Sequence, residues 1–229
     1  MEEDSHAKGF QENNRYIGTG ATVASLPQIT AHRIPVVGAL SGSDGLRDPK
    51  LNLIFHTRAS YGAETDKMVE QLKTTGVKSI AVVYQDDPFG KAGLKSAQGA
   101  FERQGIKPII ESPIDMGKLD AHGIVIAQVV PSPLRASYRI SKEFTAAAKK
   151  AGSKDTTYNS MEGYITAKVF VEALRRAGKD LTREKLIAAL ESMNNYDLGD
   201  FVIDYSGGKR IGSIFVDLSI ISKSGQFLH

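Results

Sequence analysis

The stretch that most constrains this chain runs from Ser79 to Glu111. Ser79-Ile-Ala-Val-Val-Tyr84 is an apolar run of strand length, and it reads as a buried strand. Asp87-Pro88 follows, pairing a helix N-cap with a residue whose ring pre-sets a helical φ. The helix so opened runs to Gln104 and stops at Gly105, and Lys107 to Glu111 reads as the next strand. Strand, helix and strand at this spacing predict a right-handed crossover and a parallel sheet, which places the chain in the α/β class.

The flanking segments extend that reading. Ile34 to Ala39 and Leu53 to Phe55 are short apolar runs, and Tyr61 to Thr75 carries Met68, Val69 and Leu72 at helical spacing before Gly76. Ile124 to Val130 is a further strand, ended by Pro131-Ser132-Pro133. Three helices are expected in succession after it. They are Ser137 to Lys150, Ser160 to Ala177 with Met161, Ile165, Val169, Phe170 and Leu174 inward, and one capped by Thr182 with Leu181 and Leu186 at staple positions. Two final strands, near Phe201–Ile203 and Ile214–Ile221, flank Gly207-Gly208. Ser112 to His122 is polar and turn-rich, too short to return the chain between parallel neighbours. Either the strands it joins are not neighbours or a crossover is missing there.

Composition excludes several functions. The chain has 229 residues, of which 41% are hydrophobic, enough for a substantial core in one or two domains. With 29 Lys and Arg against 26 Asp and Glu, the charge is +3 and is spread along the chain, so nucleic acid is not an expected partner. No run approaches the length of a membrane span, so direct membrane insertion is not expected. Zero Cys excludes disulfide frameworks, zinc ribbons and thiol catalysis. Met1 to Glu12 is polar and acidic and lacks the pattern of an export signal.

Few motifs carry chemistry. Asp86 and Asp87 follow a strand end, where paired carboxylates hold magnesium in phosphoacceptor domains, but Asp87 equally suits a helix cap. Gly18-Thr-Gly20-Ala-Thr22 lacks the third glycine of a dinucleotide fingerprint and the lysine of a P-loop. It fits a turn feeding a helix N-terminus, whose hydroxyls and N–H groups hold an anion. Ser41 lacks the flanking glycines of a nucleophile elbow. The five histidines show no metal or triad spacing. No catalytic residue, metal ligand or cofactor is assigned. The Leu40–Gly45 turn stands at the carboxyl end of a strand, where open α/β sheets bind ligands.

The stretches GTGATVASLPQITAHRIPVVGALSGSDGLRDP, FHTRASY and IAVVYQDDPFGKAGL resemble the type I periplasmic substrate-binding proteins of ABC transporters, the Leu/Ile/Val-binding family. GIVIAQVVPSP, SMEGYITAKVFVEALRRAG, LTREKLIAALE and YDLGDFVIDYS continue the likeness in family order, from about Tyr16 to Leu218. The resemblance implies two Rossmann-like lobes closing on a ligand by a hinge motion. Lobe one would hold residues 15–57 and 134–198 and lobe two residues 58–130 and 199–229, after a polar tail at 1–14. The crossovers would lie near Thr57–Ser60, Pro131–Pro133 and Leu198–Asp200.

The implied function is capture of an amino acid or similar small amphipathic acid for an ABC importer permease in the periplasm, without catalysis. Thr19, Thr22, Ser41, Gly42 and Ser43 match the positions that hold the ligand carboxylate, and Phe89, with Tyr61 second, the covering aromatic. Against the family pattern the chain lacks units before the GTGATVAS loop and in the middle, so incomplete lobes are expected. No residue matches the family's acidic partner for the ligand ammonium. Weak amino-acid binding or none is therefore expected, together with exposed apolar helix faces around Val169–Leu174. The alternatives are a phosphoacceptor or metal-dependent enzyme using Asp86 and Asp87, and a small-molecule sensor of the same fold.

Overall fold

The computed structural model describes residues 18–77, 79–114, 125–154, 156–221 and 227–228. The polar tail, the start of the Ile124 strand and most of the joint after Ser112 lie outside the described residues. Gly18, at φ +91°, turns the chain into helix α1, Thr19–Ala31. Strand β1, Val36–Val37, pairs in parallel with β2, Ile54–Phe55, around a 3-10 helix at Asp44–Arg47. Ile29, Val36, Ala39, Leu46 and Ile54 form a small core beneath them.

Helix α2 spans Tyr61–Thr74, and its cap Ser60 accepts a hydrogen bond from the Ala63 N–H. The expected crossover unit follows in β3 (Ala81–Gln85), α3 (Pro88–Gln104) and β4 (Ile110–Ile114), with β3 and β4 parallel; β4 begins after the expected start at Lys107 and takes Ser112, Pro113 and Ile114 from the segment read as a turn-rich joint, because these residues pair with Val83, Tyr84 and Gln85. Asp87 caps α3 by accepting from the Gly90 N–H at 2.7 Å, and Gly105 ends it in the left-handed region. A Cβ on Gly90 would lie 2.0 Å from the Gln85 carbonyl oxygen, so this tight strand-to-helix turn requires glycine.

Burial of β3 departs from the reading of a buried strand. Ala81, Val83 and Gln85 are exposed, and only the other face, with Ile80 and Val82, packs on Val69, Ala100 and Phe101. Among the described residues β4 is its only partner. One face is therefore covered by α2 and α3, and none of the described elements covers the opposite face.

Strand β5, Val125–Gln128, does not join β4. It pairs antiparallel with β8, Asp217–Ile221, which pairs in turn with β9, Phe227–Leu228. The short joint thus connects strands of different sheets. The expected final strands do not pair with each other either: β7, Val202–Ile203, forms a hairpin with β6, Tyr196–Asp197.

Helices α4 (Arg139–Lys150), α5 (Tyr158–Ala177) and α6 (Arg183–Glu191) enclose the largest core. Met161, Ile165, Val169, Leu186 and Leu190 are fully buried in it with Phe55, Ile203 and Tyr205. The Val169–Leu174 face expected to stand open is covered, because Val169 and Ala173 are buried and Phe170 and Leu174 pack against the same cluster. Phe201, Ile203 and Tyr205, which the family likeness would allot to the second lobe, pack in this helical core.

Candidate functional site

The first site element is made by two turns. The Gly18 N–H donates to the Leu40 carbonyl at 3.1 Å, which lays the start of α1 beside the turn after β1. Thr19 Oγ1 and Ser41 Oγ consequently meet at 2.9 Å, both buried. Ser41 Oγ also accepts from the Ser43 N–H at 3.2 Å. One hydroxyl proton is used within the pair and the other is left to donate. The first-turn N–H groups of α1 lack intrahelical acceptors and lie alongside.

Two expected partners do not join this pair. The Thr22 hydroxyl donates back to the Gly18 carbonyl at 2.9 Å, a bond internal to the helix. Ser43 lines a separate groove of about 1040 Å³ on the far side of α2, with Asp44, Asp66, Lys91, Lys95 and Arg103. That groove is wide and its charges are solvated, which suits a water-filled channel better than a specific site.

The aromatic residues come together on the near side. Tyr61 opens α2, donates its N–H to the Gly42 carbonyl at 2.6 Å, and lays its ring over Gly42. A Cβ at that glycine would fall 2.2 Å from the ring, so no other residue fits. Phe89, in the first turn of α3, meets Tyr61 edge to face at 5.6 Å. Pro88 beside it packs 3.7 Å from the Cβ position of Gly20, bringing α3 against the start of α1. A cavity of about 410 Å³ lies here, lined by Gly18, Leu40, Tyr61, Met68, Phe89 and the charged pair Arg58 and Glu64.

That charged pair went unremarked in the sequence. Arg58 Nη2 donates to Glu64 Oε1 at 2.7 Å, Nη1 stands 3.6 Å from Glu162, and the guanidinium lies 5.7 Å from the Tyr61 ring centre. Burial pushes the Glu64 carboxyl up against the pull of Arg58. Burial alone would lower Arg58, but Glu162 and then Glu64 raise it. The available signal was the spacing in Arg58-Ala-Ser-Tyr-Gly-Ala-Glu64: a charge before an N-cap Ser and an opposite charge in the first helical turn.

Arg47 braces the arrangement from behind. Its guanidinium donates to the carbonyls of Ser43, Arg58 and Ala59 at 3.0–3.1 Å, joining the Ser41 turn to the segment that leads into α2. Burial, and then Arg58, lower its pKa to about 10. His56, wholly buried, meets the Leu46 carbonyl through Nε2 at 3.0 Å and is pulled down to about 3 by burial and then by Arg47.

Asp86 and Asp87 are otherwise engaged. Asp86 pairs with Lys91 at 2.8 Å, while Asp87 caps α3 and accepts from Gln85. Among the described residues no group of three His, Asp or Glu is placed to hold a metal ion. None of the described helices is long and apolar enough to cross a membrane.

A family model described as periplasmic binding protein matches residues 15–129 and 111–213. No curated protein matches the chain. Among solved structures, a substrate-binding periplasmic protein from Ralstonia solanacearum is 24% identical with a TM-score of 0.81, over 93% of this chain and 79% of that one. A branched chain amino acid ABC transporter protein from Thermus thermophilus, solved with bound valine, is 19% identical with a TM-score of 0.82, over 98% and 78%. A solute binding protein of an ABC transporter from Rhodopseudomonas palustris, in complex with 3,4-dihydroxy benzoic acid, is 17% identical with a TM-score of 0.72, over 93% and 74%. At these identities the likeness is one of fold.

Proposed function

This chain belongs to the periplasmic binding protein family, and we propose that it captures an amino acid or similar small amphipathic acid in the periplasm for an ABC importer permease. The type I fold and the family are those of solute-binding proteins that carry out no chemical step. In our reading the two lobes are residues 15–57 with 134–198 and residues 58–130 with 199–229, with Phe201, Ile203 and Tyr205 reaching back to pack on the helical core of the first. Their cleft is the cavity beside Tyr61 and Phe89.

The observation that carries the proposal is the Thr19–Ser41 hydroxyl pair at the start of α1, next to an aromatic-walled cavity. A hydroxyl proton and free helix N–H groups suit a carboxylate, and two rings suit an apolar body. Gly42 and Ser43 shape the turn that presents Ser41, and Thr22 stiffens the first turn of α1. Valine and 3,4-dihydroxybenzoate, bound by the two structural neighbours, share a carboxylate beside an apolar or aromatic body.

Calorimetric titration with valine, leucine, phenylalanine and 3,4-dihydroxybenzoate tests this. At least one should bind measurably, the amino acids weakly for want of an acidic partner to the ammonium, and Phe89→Ala and Ser41→Ala should each weaken that binding roughly 10-fold or more. Equal affinity in both variants and the parent would move the site elsewhere.

A further inference from the structure

The 3-10 helix Asp44–Arg47 holds the rest of the chain at two places. Its last residue, Arg47, donates to the Arg58 and Ala59 carbonyls at 3.0–3.1 Å, within Thr57–Ser60, where the family likeness places a crossover. A bond to a crossover lies close to the pivot, so it survives a change in the angle between lobes. Its first residue, Asp44, reaches farther. One carboxylate oxygen, Oδ2, accepts the Gly62 N–H in the first turn of α2 at 3.0 Å and the Ser96 hydroxyl in the middle of α3 at 2.7 Å. The approach to α2 is close, because a Cβ on Gly62 would lie 3.1 Å from both carboxylate oxygens. Asp44 falls in the first lobe of our division, and Gly62 and Ser96 fall in the second.

These groups have a second arrangement at hand. Ser96 has one hydroxyl proton, and its oxygen also stands 3.0 Å from the Ala92 carbonyl one turn back. A serine hydroxyl on a helix readily bonds to that carbonyl, so Ser96 is satisfied in either position. Asp44 is exposed along the charged groove between the 3-10 helix and α3, and it regains water when it lets go. The Gly62 N–H stands at the exposed start of α2 and does the same. With the bond made, the hydroxyl proton goes to a carboxylate, the stronger acceptor. With it broken, no polar group is left buried and unpaired. Two satisfied states with a modest preference for one are what a change of lobe angle requires.

We propose that Asp44 is the clasp of the cleft: its carboxylate, borne by the first lobe, holds α2 and α3 of the second and so sets the balance between closed and open lobes. This rests on the two-lobe reading. Asp44 is a positioning residue, since it lies in the groove on the far side of α2 from the aromatic-walled cavity. It acts through Phe89, which stands two turns before Ser96 on α3 and meets Tyr61 edge to face at 5.6 Å.

The chain has no cysteine, so two introduced ones are its only thiol labelling sites. Spin labels at Lys50→Cys and Glu102→Cys, exposed positions on the first lobe and on α3, read the distance between lobes by pulsed dipolar spectroscopy. In the chain carrying only the labels the short distance should dominate. Asp44→Ala and Ser96→Ala should each lower the ratio of short to long distances roughly 10-fold. The double variant should lower it no further than either alone. Asp44→Asn, which keeps an acceptor oxygen, should recover part of the loss. Melting curves establish that each variant folds. A ratio unmoved in folded Asp44→Ala, or single-variant shifts that add in the double variant, overturns the inference. If the distances still fall into two populations in that case, the lobes move and the two-lobe reading stands without the clasp. If the labelled parent and all variants share one narrow distance, the lobes do not move, and the two-lobe reading fails and takes the inference with it.

Discussion

The helical core and the β3–α3–β4 unit are both built on apolar runs, yet they end in opposite states. In the first, Met161, Ile165, Leu186 and Leu190 on α5 and α6 are sealed against Phe55, Ile203 and Tyr205. In the second, Val83 remains 52% exposed, Ile109 66% and Ile110 58%. Both form their expected secondary structure. The difference is in what stacks on them: three helices close over one cluster, while α2 and α3 cover one face of a two-stranded ribbon and no described element covers the other. Secondary structure follows from local pattern, and burial is decided by layering.

The largest effect expected from this contrast is in side-chain truncation. Leu186→Ala removes a fully buried side chain from the helical core and should cost about 2–5 kcal/mol. Val83→Ala removes comparable apolar bulk from an open sheet face and should cost roughly 0.5 kcal/mol or less. Urea midpoints of the two variants decide the matter. Similar losses would mean that the exposed face is covered in solution, and concentration-dependent light scattering would then show whether a second copy covers it.

A pH titration probes the seam between β2 and the 205–212 segment at the edge of the helical core. His56 is bonded to that segment: its N–H donates to the Arg210 carbonyl, and its carbonyl accepts from Tyr205 Oη and the Gly212 N–H. Its imidazole is held neutral, with a pKa near 3 against 6.5 when unfolded. The unfolded chain therefore binds a proton first as pH falls. The stabilisation is complete above pH 6.5 and is lost progressively from there toward pH 3. Between pH 7.5 and 5 the loss should be about 2 kcal/mol, and it should vanish in His56→Gln. Glu64 works in the opposite sense, because its raised carboxyl takes up a proton in the fold before it does in the unfolded chain. A pH-independent midpoint over that interval in the parent would show that the seam opens to water.

Legibility in the sequence divides along the same line. The start and stop of α3 were readable because Asp87, Pro88 and Gly105 act within one helical turn. The Thr182 cap was readable for the same reason. The antiparallel pairing of β5 with β8 was not, since its partners are some ninety residues apart and no local signal encodes them. At the site, Thr19, Ser41, Tyr61 and Phe89 came from the family likeness; the structure pairs the Thr19 and Ser41 hydroxyls with each other, both buried, and sets Tyr61 and Phe89 edge to face on the wall of one cavity. Thr22 shows what a likeness of position leaves out, because a hydroxyl on a helix can turn to the carbonyl of the preceding turn. Arg58 and Glu64 carried only the signal of opposite charges on either side of the N-cap Ser60, and their place on the cavity wall follows from the folding of α2.

If layering alone separates the two regions, interactions confined to one helical turn should be worth the same in both. The N-caps offer that comparison. Thr182 begins α6 in the sealed core and accepts from the Lys185 N–H at 3.2 Å, whereas Asp87 begins α3 in the half-covered unit and accepts from the Gly90 N–H at 2.7 Å. Each satisfies one amide that the helix cannot, so Thr182→Ala and Asp87→Ala should each cost about 1 kcal/mol. Asp87 adds a negative charge at the positive end of the helix, worth a few tenths of a kcal/mol more at low salt. Amide hydrogen exchange in the first turns of α3 and α6 reads the caps locally, before either variant unfolds globally. If the amides of α3 exchange freely in the parent and Asp87→Ala changes nothing, then α3 is frayed, and the two regions differ in local order as well as in cover.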